Sequence, residues 1–141
     1  MTHLDLFCID KRIGSKALIL ENSKRLGVKP KLIFEEDINN TLNRRNLSSF
    51  EKPNRLVIGG CDKKTKLQII KNLSQDMSIG DIIVIPIIDI QTIKELKEEL
   101  EDKNFKTNLN LIQTYKSLSI AEGMRLEPNN PVFILKGKKY I

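Results

Sequence analysis

Short apolar runs alternate along the chain with longer segments whose apolar positions recur every three or four residues. This alternation is typical of an α/β fold, in which helices connect the strands of a mostly parallel sheet. The apolar runs predict strands at residues 4–9, 31–34, 55–58 and 82–88. The segments between and after them predict helices at residues 13–27, 38–47, 62–73 and 90–100.

The pattern changes after residue 100. Residues 107–115 and 131–135 predict two more strands, and the segment between them, 117–130, reads as a polar loop. Two strands that are joined without a helix are expected to pair in the antiparallel direction. The sequence therefore predicts one α/β domain over residues 1–141, with a mostly parallel sheet and an antiparallel hairpin at its carboxyl end.

Composition narrows the picture only a little. The chain has 24 basic and 18 acidic residues, giving a net charge of +6 at pH 7. The basic and acidic residues are interspersed along the chain. The excess of basic residues is compatible with an acidic small-molecule ligand, with a nucleic-acid partner or with an ordinary solvated surface. The longest apolar run, residues 82–88, is too short to cross a bilayer, and the amino terminus does not resemble a signal peptide. We therefore expect no membrane association.

The two cysteines, Cys8 and Cys61, lie in different strand-like runs and form no metal-binding pattern with the single histidine, His3. This usage predicts a reduced, cytoplasmic setting and no metal site. Cys61 is better explained as a small packing residue than as a nucleophile, because no histidine base accompanies it. His3 has no partner motif, and we assign it no role.

The stretch "RLVIGGCDKK", residues 55–64, is the main candidate for a site. Its strand ends in Gly59 and Gly60 and leads into a helix that begins with lysines. Two glycines leave the backbone bare, so that a flat or anionic ligand can approach it. Tight packing between the strand and the following helix would explain the same pair without any ligand.

Acidic residues follow the first two predicted strands. Asp10 comes at the end of the first, where a carboxylate can accept hydrogen bonds from the two hydroxyls of a ribose; a helix cap or a surface acid is the alternative. Asp37 closes the second in "FEEDI", where a cap for the next helix is an equal alternative to a ligand contact.

Three segments resemble one known family. "RLVIGG", "MSIGDIIVI" and "GMRLEPNNPVFILKGKK" are similar to the carboxyl-terminal half of the decarboxylating precorrin methyltransferases, which act in corrin-ring (vitamin B12) biosynthesis. In that family one strand ends in Ile-Gly-Gly, usually followed by serine, and the last strand begins with Asn-Pro-Val-Phe. Here the first motif is residues 58–60, with Cys61 in the serine position, and the second is residues 130–133.

The resemblance implies a Rossmann-like methyltransferase sheet, S-adenosyl-L-methionine as cofactor and a tetrapyrrole substrate. The substrate would be precorrin-6B or its cobalt form, which is methylated and decarboxylated. A substrate with many carboxylates implies basic residues around the site. The implied cofactor contacts are Asp10 at the ribose, Asp37 at the adenine, and Gly59 and Gly60 at the methyl donor; the implied substrate contacts are Lys63, Lys64, Arg125 and Asn130. No catalytic side chain is implied.

The sequence departs from the family at its start. It contains no glycine-rich turn of the type Asp-Ile-Gly-x-Gly-x-Gly, and its first strand, "LDLFCID", resembles the family's second strand. The chain thus resembles a member that lacks the first strand, the first glycine loop and the first helix. Because that loop holds the methionine end of the cofactor, S-adenosylmethionine is expected to bind weakly.

The same departure leads to an expectation about the sheet. The family's strand order is three, two, one, four, five, seven, six, so the absent strand would lie between residues 4–9 and 55–58. We expect these two runs to pair directly; pairing of the 55–58 edge with a second copy, in a homo-oligomer, is the alternative.

Two other functions remain open on the sequence. A non-catalytic remnant that binds no cofactor would explain the missing glycine loop. An RNA-binding α/β protein is suggested only by the charge of +6. We expect no nucleic-acid partner, because aromatic residues are few and no RNA-binding module is recognisable.

Overall fold

The structure, a computed structural model, describes residues 5–45 and 52–141. By its internal contacts the chain divides into two compact units, Met1–Phe50 and Glu51–Ile141. Residue 4 of the first predicted strand, residues 46–47 of the second predicted helix and His3 lie outside the described residues. No helix in the described ranges is long and apolar enough to cross a membrane.

The first unit is a pair of parallel strands with two helices. Its elements are β1 (Phe7–Ile9), α1 (Ser15–Leu26), β2 (Leu32–Phe34) and α2 (Ile38–Arg45). β1 pairs with β2 from Phe7 opposite Leu32 to Ile9 opposite Phe34. α1 ends at Gly27, whose φ of 66° is the left-handed conformation that glycine adopts without strain.

The second unit contains the larger sheet. Short 3₁₀ turns follow α3 and precede α4. The elements are β3 (Arg55–Val57), α3 (Lys63–Leu73), β4 (Ile82–Ile87), α4 (Ile93–Asp102), β5 (Phe105–Ile112), β6 (Tyr115–Ile120), β7 (Gly123–Pro128) and β8 (Val132–Lys139).

Four of these strands form a sheet in the order β3-β4-β8-β5. β3 is parallel to β4, whereas β8 is antiparallel to both β4 and β5. Three strands therefore run in one direction, and β8 lies antiparallel between two of them. The predicted α/β class with an antiparallel closing pair is confirmed, and that pair is β5 and β8.

The hydrophobic core lies on one face of this sheet. Alternate residues of β4 point into it, and Leu135 of β8 does so as well. α4 packs closely there because Gly137 has no side chain: a Cβ at that position would lie 3.3 Å from Leu100 and 3.2 Å from Phe105. The buried apolar side chains of the helices and β4 are Ile69, Ile70, Leu73, Leu96, Leu100, Ile83, Ile85 and Ile87.

The prediction of a polar loop at residues 117–130 is wrong. β6 and β7 occupy most of this segment and pair in register from Tyr115 opposite Pro128 to Ile120 opposite Gly123. The sequence does not indicate this hairpin because almost all of its side chains are exposed on both faces. Such a strand is not required to alternate apolar and polar residues, which is the signal that sequence patterns offer.

The expected direct pairing of the first strand with residues 55–58 is also wrong. β1 pairs with β2, and β3 belongs to a separate sheet. The expectation assumed that the edge of β3 would be buried, yet Val57 at this edge is 72% exposed. Water can therefore satisfy the outward backbone groups, which removes the cost of an unpaired buried edge. Pairing with a second copy stays a prediction.

Candidate functional site

The glycine turn begins where β3 can no longer pair. The amides of Ile82 and Ile58 bond across to Asn54 O (3.1 Å) and Val84 O (3.0 Å), which sets the register of β3 and β4. The next bond of this parallel ladder would come from residue 86, which is a proline without an N–H. The two strands therefore separate after Ile58, and the chain leaves the sheet at Gly59.

Only one of the two glycines, Gly60, has a backbone conformation that requires glycine. Gly60 has a φ of 69°, in the left-handed region where other residues are strained, and open space surrounds the position of its missing Cβ. A Cβ on Gly59 would lie an ordinary 3.8 Å from Pro86 Cγ. Both glycines are exposed, so the turn presents bare backbone at the carboxyl end of β3.

α3 starts directly after this turn. Asp62 is its N-cap and accepts a hydrogen bond of 2.7 Å from the Thr65 amide. Lys66 Nζ donates to the carbonyl oxygen of Cys61, a half-buried residue that forms no disulfide with Cys8. These contacts fix the direction in which the helix leaves the glycine turn.

Lys63 and Lys64 occupy the first turn of α3, where the helix dipole disfavours positive charge. Lys63 Nζ is held 2.8 Å from Glu95 Oε1 of α4. Lys64 is exposed and makes no ion pair with any residue in the described ranges. Of the two lysines, Lys64 is therefore the one whose charge is available to a ligand.

Asp10 follows β1, as the sequence predicts, but its carboxylate already has a partner. Arg12 Nε lies 3.1 Å from both oxygens, its NH2 group 2.6 Å from Oδ2, and its amide 2.9 Å from Oδ1. The side-chain hydrogen bond from Arg12 is the main reason why the pKa of Asp10 is lowered. Both oxygens of Asp10 are thus close to their full number of hydrogen bonds.

The three acidic residues after β2 accept hydrogen bonds from the two helices of the first unit. Glu35 accepts a hydrogen bond of 3.0 Å from the Lys16 amide at the start of α1. This bond is the main reason why the pKa of Glu35 is lowered. Thr41 Oγ1 donates to Glu36 Oε1 over 2.8 Å. Asp37 accepts from the Asn39 amide over 2.9 Å. Asp37 is therefore a cap of α2, one of the two roles that the sequence left open.

The remaining two candidates lie near the hairpin. Arg125 is an exposed residue of β7, and its NH2 group is 3.8 Å from Glu127 of the same strand. Asn130 is exposed in the link to β8. The side chain that fixes this link is its neighbour Asn129, which donates to Thr114 Oγ1 over 2.9 Å.

The candidate residues thus fall into three groups. The first unit holds Asp10 and Asp37, each at the carboxyl end of one of two paired parallel strands. In the second unit one continuous segment brings Gly59 and Gly60 together with the lysines of α3. Arg125 and Asn130 belong to the hairpin and its link. The sequence does not indicate that Arg12, Glu35, Glu95 and Asn129 are the partners of these residues. Of the four, only Arg12, two residues after an acid, has a local signal.

Comparisons with known proteins agree on the fold. No family model matches the chain, and no curated protein sequence matches it. Among solved structures, precorrin-6y C5,15-methyltransferase from Geobacter metallireducens has a TM-score of 0.75 at 20% identity, covering 96% of this chain and 68% of its own. Precorrin 8w decarboxylase from Methanobacterium thermoautotrophicum has a TM-score of 0.78 at 19% identity, covering 94% and 69%.

A third similar structure is an enzyme with a different substrate. The tRNA (m1A58) methyltransferase of Aquifex aeolicus has a TM-score of 0.61 at 13% identity, and the match covers 97% of this chain and 54% of that one. The chain has the fold of the S-adenosylmethionine-dependent methyltransferases. Its order β3-β4-β8-β5 corresponds to strands four, five, seven and six of the order given above. The resemblance seen in the sequence is thereby confirmed at the level of the fold.

Proposed function

We propose that this chain is an S-adenosylmethionine-dependent methyltransferase of corrin biosynthesis that methylates and decarboxylates precorrin-6B or its cobalt form. The observation that carries the proposal is the open turn at Gly59 and Gly60. It stands at the carboxyl end of a parallel strand, where open α/β sheets bind their ligands. The residues of the Ile-Gly-Gly motif form this turn.

The residues present fit the cofactor in part. The glycine turn offers exposed backbone with no side chain in the way. Asp10 is the residue that we expect at the ribose, and Arg12 must release its oxygens before two hydroxyls can bind there. S-adenosylmethionine would supply an electrophilic methyl group on its sulfonium sulfur. We therefore expect this chain to bind the cofactor with a Kd in the high micromolar range or weaker.

On the substrate side, the chain's own residues would bind and orient a polyanion. Lys64 has a free charge beside the glycine turn, and Lys63 could exchange Glu95 for a substrate carboxylate. Arg125 is a third candidate, whose present partner at 3.8 Å is a weak, exposed one. The electron-rich macrocycle would attack the methyl group itself, so that positioning replaces a nucleophilic side chain.

A second candidate is a non-catalytic domain that binds no cofactor. The saturation of Asp10 by Arg12 favours it, because a ribose ligand should have free acceptor oxygens. The two hypotheses differ in one measurable property, which is binding of S-adenosylmethionine through the glycine turn.

Calorimetric titration of the full chain with S-adenosylmethionine tests this difference. We expect weak binding that Gly60→Val reduces at least tenfold, because a side chain there would cover the bare backbone and strain the turn. Gly80→Val is the matched control: Gly80 also has a positive φ, of 92°, and open space at its Cβ position, but lies in another turn. Absence of binding to the unaltered chain, or equal loss in both variants, would favour the non-catalytic domain.

Activity is tested with methyl-labelled S-adenosylmethionine and precorrin-6B. Transfer of label and release of carbon dioxide are the expected results. Lys63→Glu combined with Lys64→Glu should raise KM for the tetrapyrrole. Lys71→Glu, at the other end of α3 and 3.7 Å from Glu99, should not. If the chain binds the cofactor but gives no labelled product, the hypothesis of a methyltransferase stands and precorrin-6B is rejected as its substrate.

A further inference from the structure

The four-stranded sheet has a second face, opposite the core, which is called the open face here. Residues that are opposite each other in the register share a face, so the open face carries the residues that alternate with the buried ones along β4 and β8. On the core face, Leu100 of α4 lies beside Gly137, and α3 packs against α4. Both described helices of the second unit thus contribute to the core and not to the open face.

The apolar part of the open face lies at its centre. It consists of Ile82, Val84 and Pro86 of β4 and of Ile134, which is opposite Pro86 on β8. None of these four residues is buried, so that β4 is apolar on both faces but buried on only one. A strand that is one continuous apolar run is typical of a sheet covered on both faces. The composition of β4 therefore indicates that the open face has a partner.

The basic part of the open face lies at one end of it. Lys138 of β8 is opposite both Ile82 of β4 and Lys106 of β5, and Lys136 is the next residue of β8 on this face. Arg55 of β3 is opposite Ile82 on the other side. Opposite residues of neighbouring strands are about 5 Å apart between Cα atoms. Among the paired positions of these four strands, the open face includes no acidic residue.

These basic residues have little to neutralise them. Lys106, Lys136 and Lys138 are exposed and make no ion pair with any residue in the described ranges. Arg55 has a weak partner in Asp81, whose Oδ1 is 3.8 Å from its NH1 group. Like charges directly opposite each other on neighbouring strands destabilise a sheet. The arrangement works against the fold of the chain alone, and an anionic partner would relieve it.

The proposed methyltransferase site does not account for this basic end. Arg55 is the first residue of β3, whereas the glycine turn follows the carboxyl end of that strand. The four residues of extended chain from Arg55 to Gly59 span about 13 Å. The basic end is therefore a surface distinct from the glycine turn, and what we infer from it does not rest on the proposed function.

We propose that the open face binds an amphipathic helix of a partner protein. Its apolar stripe would cover β4 and β8, and its acidic residues, gathered in one half of the helix, would pair with Lys106, Lys136 and Lys138. Helices are the elements that cover parallel strands in α/β folds. β4 spans about 17 Å, which is close to the length of a helix of about 12 residues. A nucleic acid would also pair with the lysines, but its phosphates would leave the apolar centre uncovered.

Fluorescence anisotropy of the full chain with a synthetic peptide tests the proposal. The probe is a fluorescein-labelled helix of about 18 residues, with leucines at i, i+3, i+4 and i+7 spacing and glutamates beside them in one half. We expect a Kd in the micromolar range at about 0.1 M NaCl. Peptides with glutamine in place of glutamate, or with serine in place of leucine, should bind at least tenfold more weakly.

Substitutions in the chain identify the surface that binds the probe. Lys136→Glu combined with Lys138→Glu should weaken binding at least tenfold. Lys94→Glu combined with Lys97→Glu is the matched control, because it makes the same change of charge at exposed positions of α4, and it should alter the Kd less than threefold. Val84→Thr keeps the shape of a side chain at the apolar centre and should weaken binding at least threefold. If circular dichroism shows that the first variant does not fold, Lys136→Gln combined with Lys138→Gln replaces it, with an expected loss of at least threefold.

Two results with the probe would overturn the proposal: no binding at protein concentrations up to about 500 μM, or equal loss in the two charge-reversed variants. A serine peptide that binds as tightly as the leucine peptide would also overturn it, because binding would then depend on charge alone. A labelled RNA of about 20 nucleotides should bind more weakly than the probe. Tighter binding of this RNA, abolished by Lys136→Glu combined with Lys138→Glu, would assign the open face to a nucleic acid and reject the helix.

Discussion

The two units are held together by different interactions. Every buried apolar side chain among the described residues belongs to the second unit, whereas the first unit buries only Ser15 and Thr41. The second unit is therefore stabilised mainly by the hydrophobic effect, which is the dominant favourable contribution to folding. The first has a polar framework in which side chains cap helices and bridge strands.

This difference has a cost for the first unit. α1 leaves Leu18 62% and Leu26 76% exposed. Hydrogen bonds hold this helix in place, such as the one that Ser15 Oγ donates to Asp10 O over 3.3 Å. A net contribution of about 1 kcal/mol for each such bond is small beside the burial of a whole side chain. The parallel pairing of β1 with β2 therefore exists with little apolar packing to hold it.

Hydrogen exchange should show the largest contrast. We expect the amides of α1 and β1 to exchange at least 100-fold faster than those of β4 and α4, because local opening requires little free energy where few apolar contacts must break. Exchange of the full chain, followed by mass spectrometry on peptides, measures this. Equal protection in the two units would mean that the first unit has stabilising contacts beyond its own.

A core substitution should have the next largest effect. Leu135→Ala removes a fully buried side chain from β8 and should lower the free energy of unfolding by about 2 to 5 kcal/mol. The matched change Leu26→Ala, at an exposed position of α1, should alter it by less than about 0.5 kcal/mol. Urea unfolding followed by circular dichroism gives both values. A small effect at Leu135 would contradict the assignment of the core.

The same contrast decides what the sequence could predict. The sequence predicts β4 because its apolar residues form a continuous run. The hairpin of β6 and β7 was missed, since neither face is buried and no periodic pattern is imposed. An alternating pattern is imposed on a strand by a buried face, and this hairpin has no such face.

The sequence predicts where the candidate residues lie along the strands and helices, but not which side chains they pair with. The glycine turn and Asp10 were found at the ends of their strands. Arg12 lies only two residues after Asp10, so that their pairing had a local signal in the sequence. Glu95 is 32 positions from Lys63, and no local pattern indicates that they pair. Asp37 illustrates the limit, because the sequence offered a cap and a ligand contact equally and the hydrogen bond to Asn39 shows the cap.

Buried hydroxyl groups give a third and smaller test of the two frameworks. Ser74 Oγ in the second unit is buried with no hydrogen-bond partner in the described structure, whereas Thr41 in the first donates to Glu36. Ser74→Ala should therefore raise the free energy of unfolding by up to about 1 kcal/mol, and Thr41→Ala should lower it by about the same amount. Denaturant midpoints that move in the same direction would contradict the difference.

The smallest expected effect concerns pH and the start of α1. Glu35, at the end of β2, accepts hydrogen bonds from the start of this helix, chiefly from the Lys16 amide, and these lower its pKa below the ordinary value of 4.5. A carboxyl group whose pKa is lower in the folded state stabilises that state fully above its unfolded pKa, and this stabilisation is lost as the pH falls through the folded value. The cap should thus be complete above about pH 4.5 and disappear below it, while the apolar core of the second unit is unaffected.

Exchange or chemical shift of the Lys16 amide, followed by NMR from pH 7 to 2.5, measures this directly. Glu35→Gln should remove the pH dependence at Lys16, whereas Glu21→Gln, an exposed change later in α1, should preserve it; a Lys16 signal that titrates equally in both variants would assign the acid sensitivity of α1 to another group.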